Sequence, residues 1–149
     1  MLINKDLILL NLPADSQEEA LTLLAQRAKE LNKIGDVEAF KAAVLAREGE
    51  YSTAVGFGVA IPHGKTDAVL EPFLMFARVK PMDWKALDGN PIDLIFLIGV
   101  PEKDAGTLHL QVLAALSRKL MKEEFRNAIR LAEIAEGVME ILEASELGI

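Results

Sequence analysis

Apolar residues along this chain are first spaced at helical intervals, then run together, then return to helical intervals. Ser16 and Glu19 form an S-x-x-E capping box, which predicts a helix start with each side chain taking the other residue's backbone N–H. Leu21, Leu24, Ala28 and Leu31 follow on one stripe. Gly35 is expected to stop this helix, since glycine enters the left-handed conformation at no steric cost. Asp36 is placed to cap a second helix, with Val37, Phe40 and Val44 facing inward and Gly49 ending it. Arg47 and Glu48 then sit in its last turn, where a side chain can project past the helix end.

The middle of the chain reads differently. Residues 50–58 are rich in small and turn-forming types. Val59 to Ile61 is a short apolar run, expected to be a strand halted by Pro62, which has no N–H for a partner. Phe73 to Val79 predicts a second strand. Leu94 to Val100 predicts a third, apolar everywhere but Gly99, as a central strand covered on both faces should be. Asp83 to Asn90 carries turn signals between the last two. After Pro101 the spacing is helical: Leu110, Leu113, Leu116 and Leu120 mark one helix, Glu123, Glu124 and Phe125 begin another, and Ile134 to Leu142 makes a last one, which Gly137 is expected to shorten or break. No linker or repeat divides the chain. The prediction is one α/β domain over residues 1–149, a sandwich with a mixed central β-sheet flanked by helices on both faces.

Composition narrows the classes. Half of the residues are hydrophobic, which excludes a disordered chain. The longest apolar run, Leu94 to Val100, is far below the roughly 20 residues of a membrane-spanning helix. Met1, Leu2 and Ile3 lead at once into Asn4, Lys5 and Asp6, unlike a secretory signal. With no cysteine, disulfides, thiolate metal sites and cysteine nucleophiles drop out. A cytoplasmic protein without membrane insertion is expected. The net charge of −7 argues against nucleic acid, which is bound by basic surfaces. It suits encounters with other proteins, although acidity also serves solubility alone.

Two histidines are then the main candidates for chemistry near neutral pH. His63 follows Pro62 and precedes Gly64. Proline fixes the entry direction and glycine lets another molecule approach without a Cβ in the way. Such a turn presents an exposed, held imidazole, although position alone fits an ordinary surface histidine as well. His109 opens an apolar helix, where the plain alternative is a partly buried ring bonded to backbone.

Arg47-Glu48, then Ser52-Thr53, then G-F-G-V-A-I-P-H-G over residues 56–64 resembles the active-site signature of type 2 (fructose/mannitol) enzyme IIA domains of the bacterial sugar phosphotransferase system. The likeness continues through W-K-A-L-D-G at 84–89, the run to Val100 with Pro101 and Glu102, His109-Leu110-Gln111, Leu116-Ser117, and L-M-K-E-E-F-R at 120–126, and it leans toward the fructose branch. The resemblance implies a phosphotransferase in which His63 takes phosphate from the phosphohistidine of HPr, through Nε2, and passes it to a cysteine of enzyme IIB, with the membrane enzyme IIC engaged indirectly. It also places Arg47 and His109 beside His63. In-line phosphoryl transfer asks for such helpers, because positioning and charge stabilisation dominate it. Arg47 offers a planar fork to phosphate oxygens, His109 can bond the phosphate or set the state of His63, and Thr53 and Ser52 can donate hydroxyls. Each has a plainer reading: an arginine suits a helix C-terminus anyway, and Ser52-Thr53 can be turn chemistry. Lys65 can attract phosphate or be merely solvated. No cofactor or metal is implied, since a phosphohistidine donor is already activated.

Three other readings compete, the plainest being an interaction module without chemistry, in which replacing His63 changes local stability at most. A nitrogen-related regulatory enzyme IIA shares the histidine signature and controls partner proteins by its phosphorylation state. A small hydrolase or metalloprotein would need an H-E-x-x-H or G-x-S-x-G element, and the chain has neither.

Overall fold

The computed structural model describes residues 2–104 and 106–145, apart from the side chains of Leu108 and His109. In chain order come a 3-10 turn at Lys5–Leu7, β1 (Ile8–Leu9), α1 (Gln17–Glu30), α2 (Val37–Glu48), β2 (Ala54–Gly56), β3 (Val59–Ala60), β4 (His63–Thr66), β5 (Phe73–Met82), β6 (Ile92–Pro101), α3 (Leu108–Leu120), α4 (Glu123–Leu131) and α5 (Ala135–Ala144). The strands form one mixed sheet in the order β1-β5-β6-β3-β2, with β4 also paired to β6. β5 runs antiparallel to β6, while β3 and β4 run parallel to it. β6 is therefore hydrogen-bonded on both sides, and Leu94, Ile95, Phe96 and Leu97 are fully buried. This is the expected α/β sandwich with helices on both faces.

Register fixes what lies on each face, because directly opposed residues share one. Gly64, Gly99 and Phe73 form one row. A Cβ on Gly99 would sit 2.2 Å from the Phe73 ring, so the ring lies over the glycine. It meets Phe40 of α2 at a centroid distance of 5.6 Å. Burying such a ring contributes about 1.5–3 kcal/mol. The next row is His63, Ile98 and Leu74, on the opposite face. On that face too, Arg78 of β5 donates to the carbonyls of Ile129, Arg130 and Ala132, which ties the end of α4 to the sheet.

The structure corrects several local expectations. Ser16 Oγ does accept the Glu19 N–H at 3.2 Å, but the Glu19 carboxylate turns to the N–H of Asp15 instead of Ser16. The left-handed residue ending α1 is Asn32, with φ 61°, not Gly35. Lys33 N–H bonds Ala28 O and Asn32 N–H bonds Lys29 O, a Schellman closure that asparagine tolerates. Asp36 caps α2 as expected, accepting from Ala39 N–H at 3.0 Å. Leu110 is half exposed, and Val112 takes the buried position on α3. Gly137 lies inside an unbroken α5.

Candidate functional site

The strand from Val59 ends at Ala60, ahead of Pro62 as expected, but its register resumes in β4. Ala60 pairs with Ile95 and His63 with Ile98, so the same register continues through Ile61 and Pro62. Proline forfeits one ladder N–H, but its carbonyl still accepts from Ile98 N–H at 3.0 Å. His63 therefore starts a strand rather than sitting in a turn. Gly64 has a different task from the one the sequence suggested. It is buried, and a Cβ there would lie 2.9 Å from Val44 Cγ2 and 3.3 Å from Phe40 Cε1. The glycine lets α2 lie close against β4.

Backbone polar groups of alternate strand residues point to the same edge. Those of Pro62 face β6, so those of Ile61 and His63 face the outer edge. There the Ile61 N–H bonds the carbonyl of Thr53 at 3.0 Å. The Ile61 carbonyl accepts from the half-buried His63 ring, with Nδ1 at 3.2 Å. A carbonyl cannot donate, so in the neutral ring Nδ1 carries the proton and Nε2 the lone pair.

The end of α2 stands behind this edge. Successive helix residues point about 100° apart, and Arg47 and Glu48 make no ion pair with each other. Arg47 Nη1 donates to Tyr51 O at 3.0 Å, and its guanidinium lies 4.2 Å from the centre of the Tyr51 ring. Among the described residues it meets no carboxylate. The Glu48 carboxylate instead accepts from Thr53 N–H at 3.2 Å, from the Thr53 hydroxyl, and from Trp84 Nε1 at 3.2 Å. The Ser52 hydroxyl donates to Trp84 O at 2.7 Å and accepts from Ala54 N–H. A hydroxyl has one proton, and both protons are directed here within the protein.

His109 is the second residue of α3 and its side chain lies outside the described residues. α3 packs on the His63 face of the sheet, since Val112 shares a small gap with Ile98 and Val100. Lys65 is exposed on that face. Among the described residues, no three of His, Cys, Asp and Glu gather as a metal site, and no helix is long and apolar enough to cross a membrane.

The sequence reading named Arg47, Ser52, Thr53 and His63, and the structure brings the first three to one segment beside the His63 strand. It missed the roles of Glu48 and Trp84. The sequence signal was limited to the sole tryptophan, whose N–H needs an acceptor if the ring is buried, and Trp84 is 1% exposed. The two signature glycines at 56 and 58 serve the β2–β3 hairpin, with φ of 94° and 78°. A Cβ on Gly58 would meet Arg130 Nη2 at 2.8 Å, where Arg130 pairs with Asp93. A cavity of about 590 Å³ between Leu10, Pro13, Arg78, Lys80 and Arg130 is distant from this chemistry. Arg78 pairs with Leu94, four positions along β6 from the His63 partner Ile98, which is about 13 Å at strand rise.

Residues 1–145 match the family model described as phosphoenolpyruvate-dependent sugar phosphotransferase system, EIIA 2. A fructose-specific EIIA component from Haloferax volcanii is 43% identical over 138 residues, covering 92% of this chain and 89% of that protein. A fructose-specific EIIABC component from Bacillus subtilis is 37% identical over 95% of this chain, which spans only 22% of that longer protein. Among solved structures, the nitrogen regulatory protein IIA-Ntr from Neisseria meningitidis superposes with a TM-score of 0.87 at 30% identity, covering 95% of this chain and 96% of that one.

Proposed function

The chain belongs to the EIIA 2 family of the phosphoenolpyruvate-dependent sugar phosphotransferase system, and from that premise we propose that His63 is its phosphorylated residue. The observation that carries this reading is the bond from His63 Nδ1 to Ile61 O, which leaves the lone pair on Nε2. The Nε2 pair attacks the phosphorus of a phosphohistidine on HPr. The donor's N–P bond breaks and its electrons return to the donor ring. The phosphorylated His63 ring is cationic while Nδ1 keeps its proton, and the Ile61 carbonyl dipole stabilises that charge. A cysteine thiolate of enzyme IIB then attacks phosphorus, and the N–P pair returns to Nε2. Throughout, Arg47 supplies positive charge and directed N–H donors to the equatorial oxygens. His109, at the start of the helix on the same face, is the second ligand of the phosphate. Ser52 and Thr53 act through the loop they fix, since their hydroxyl protons are directed to Trp84 O and Glu48.

The acceptor in this reading belongs to a fructose or related sugar route in the cytoplasm, with the membrane enzyme IIC downstream. The identity to the fructose-specific relative supports it. The likeness to IIA-Ntr favours the alternative, a carrier whose phosphorylation state regulates partner proteins. Loading the protein from phospho-HPr and adding a fructose-type enzyme IIB tests the choice. Phosphocysteine on enzyme IIB supports sugar transfer. Phosphate that stays on the loaded protein contradicts it and favours the regulatory reading.

A further inference from the structure

Three donors converge on one carboxylate: Thr53 N–H, the Thr53 hydroxyl and the Trp84 indole N–H all reach Glu48. The indole also contacts Thr53 Oγ1 at 3.3 Å, so the groups form a closed cluster. Thr53 is 5% exposed and Trp84 1% exposed. Ser52 adds a second clasp, from its hydroxyl to Trp84 O. A carboxylate held this way has its charge met by neutral donors. It makes no demand on the arginine beside it, and among the described residues Arg47 meets no carboxylate and bonds the Tyr51 carbonyl.

The cluster is joined to the imidazole by backbone. Thr53, held through its N–H and hydroxyl, offers its carbonyl to Ile61 N–H at 3.0 Å. Ile61 offers its own carbonyl to His63 Nδ1 at 3.2 Å. Moving Thr53 moves the group that selects the tautomer of His63. The same cluster closes the loop carrying Tyr51, on which the Arg47 guanidinium rests. We propose that Glu48 is a positioning residue that, gripped by Thr53 and Trp84, holds both the Ile61 carbonyl and the Arg47 guanidinium in register with the His63 imidazole. This role rests on the carrier reading above for its purpose, but not for its geometry.

Glu48→Gln tests it. An amide presents an NH₂ where one carboxylate oxygen stood, so one of the converging donors faces another donor. Thr53→Val removes the hydroxyl with little change of shape, and Thr53→Ser restores it. The readouts are the rate of phosphate uptake from phospho-HPr, the tautomer of His63 by ¹⁵N NMR, and the melting temperature. Emission of Trp84, the sole tryptophan, checks that the indole stays buried. Glu48→Gln and Thr53→Val are expected to slow uptake by about tenfold or more and to reduce the Nδ1–H tautomer, while Thr53→Ser stays near wild type in both. If the two variants only lower the melting temperature, and leave rate and tautomer as in wild type, Glu48 is structural and the proposal is overturned. The tautomer is read without any phosphate donor. A wild type that takes no phosphate therefore sinks the carrier reading while the NMR comparison still decides the role of Glu48.

Discussion

Nδ1 of His63 lies 3.2 Å from the carbonyl oxygen of Ile61, two residues earlier on the same run of chain. An imidazole that must attack with Nε2 needs its proton parked on Nδ1, and a backbone carbonyl is an acceptor with no second protonation state. ¹⁵N spectra of the free protein, taken at a pH where the ring is neutral, are expected to show a protonated Nδ1 and an unprotonated Nε2 for His63. A predominant Nε2–H form would contradict the assignment of the nucleophilic nitrogen.

Among the described residues, the hydrogen bond and the cation–π contact of Arg47 both go to Tyr51, through one carbonyl and one ring face. Removing it should therefore cost little stability, about 0.5–1 kcal/mol for an exposed cation–π contact. Its effect on transfer should be much larger. Loss of one preorganised donor to a transition-state oxygen typically costs about 10²–10³ in rate. Arg47→Ala is expected to slow phosphate uptake by that order with a nearly unchanged melting temperature, and Arg47→Lys to recover part of it. Equal rates in stopped reactions with phospho-HPr would remove Arg47 from the site.

Gly64 and Gly99 are packing glycines, and their variants should rank by what a new Cβ meets. At Gly64 the obstacle is Val44 Cγ2, 2.9 Å away, at the end of a side chain. Gly64→Ala should cost about 1–3 kcal/mol by overpacking, and Val44→Ala in the same chain should relieve part of the strain. At Gly99 the Cβ would lie 2.2 Å from the Phe73 ring, which must leave its place. Denaturant titrations should find Gly99→Ala the more destabilised of the two. The opposite ranking would contradict the packing described for this face.

Gly58 separates fold from chemistry within the signature. Its φ of 78° and the approach of Arg130 Nη2 at 2.8 Å make Gly58→Ala unfavourable, through backbone strain and disturbance of the Asp93–Arg130 pair. A loss of about 2 kcal/mol or more is expected. Because the hairpin tip lies toward the other end of the sheet, uptake per folded molecule should stay at the wild-type rate. A slow but fully folded variant would place this hairpin in the transfer step.

Local rules made parts of this molecule legible in the sequence. Ser16 and Asp36 cap the helices they were expected to cap, because a cap depends on residues three positions away. The end of α2, with Arg47 and Glu48 in its last turn, was legible for the same reason. β6 was visible in outline because a strand covered on both faces must be apolar throughout. Failures came where distant packing overrode a local signal. Pro62 does interrupt the strand after Ala60, yet nothing local shows that its carbonyl serves β6 and that β4 takes up the same register. Gly64 looks like access for a partner, yet α2 occupies the space. Trp84 and Glu48 are 36 residues apart, and no spacing rule joins them.

The most direct test of the account is the mass of the intact protein after incubation with phosphoenolpyruvate, enzyme I and HPr, for wild type and His63→Gln side by side. The account predicts one acid-labile phosphate on wild type and none on a folded His63→Gln. A folded wild type that gains no phosphate, or a His63→Gln protein that still gains one, would contradict it.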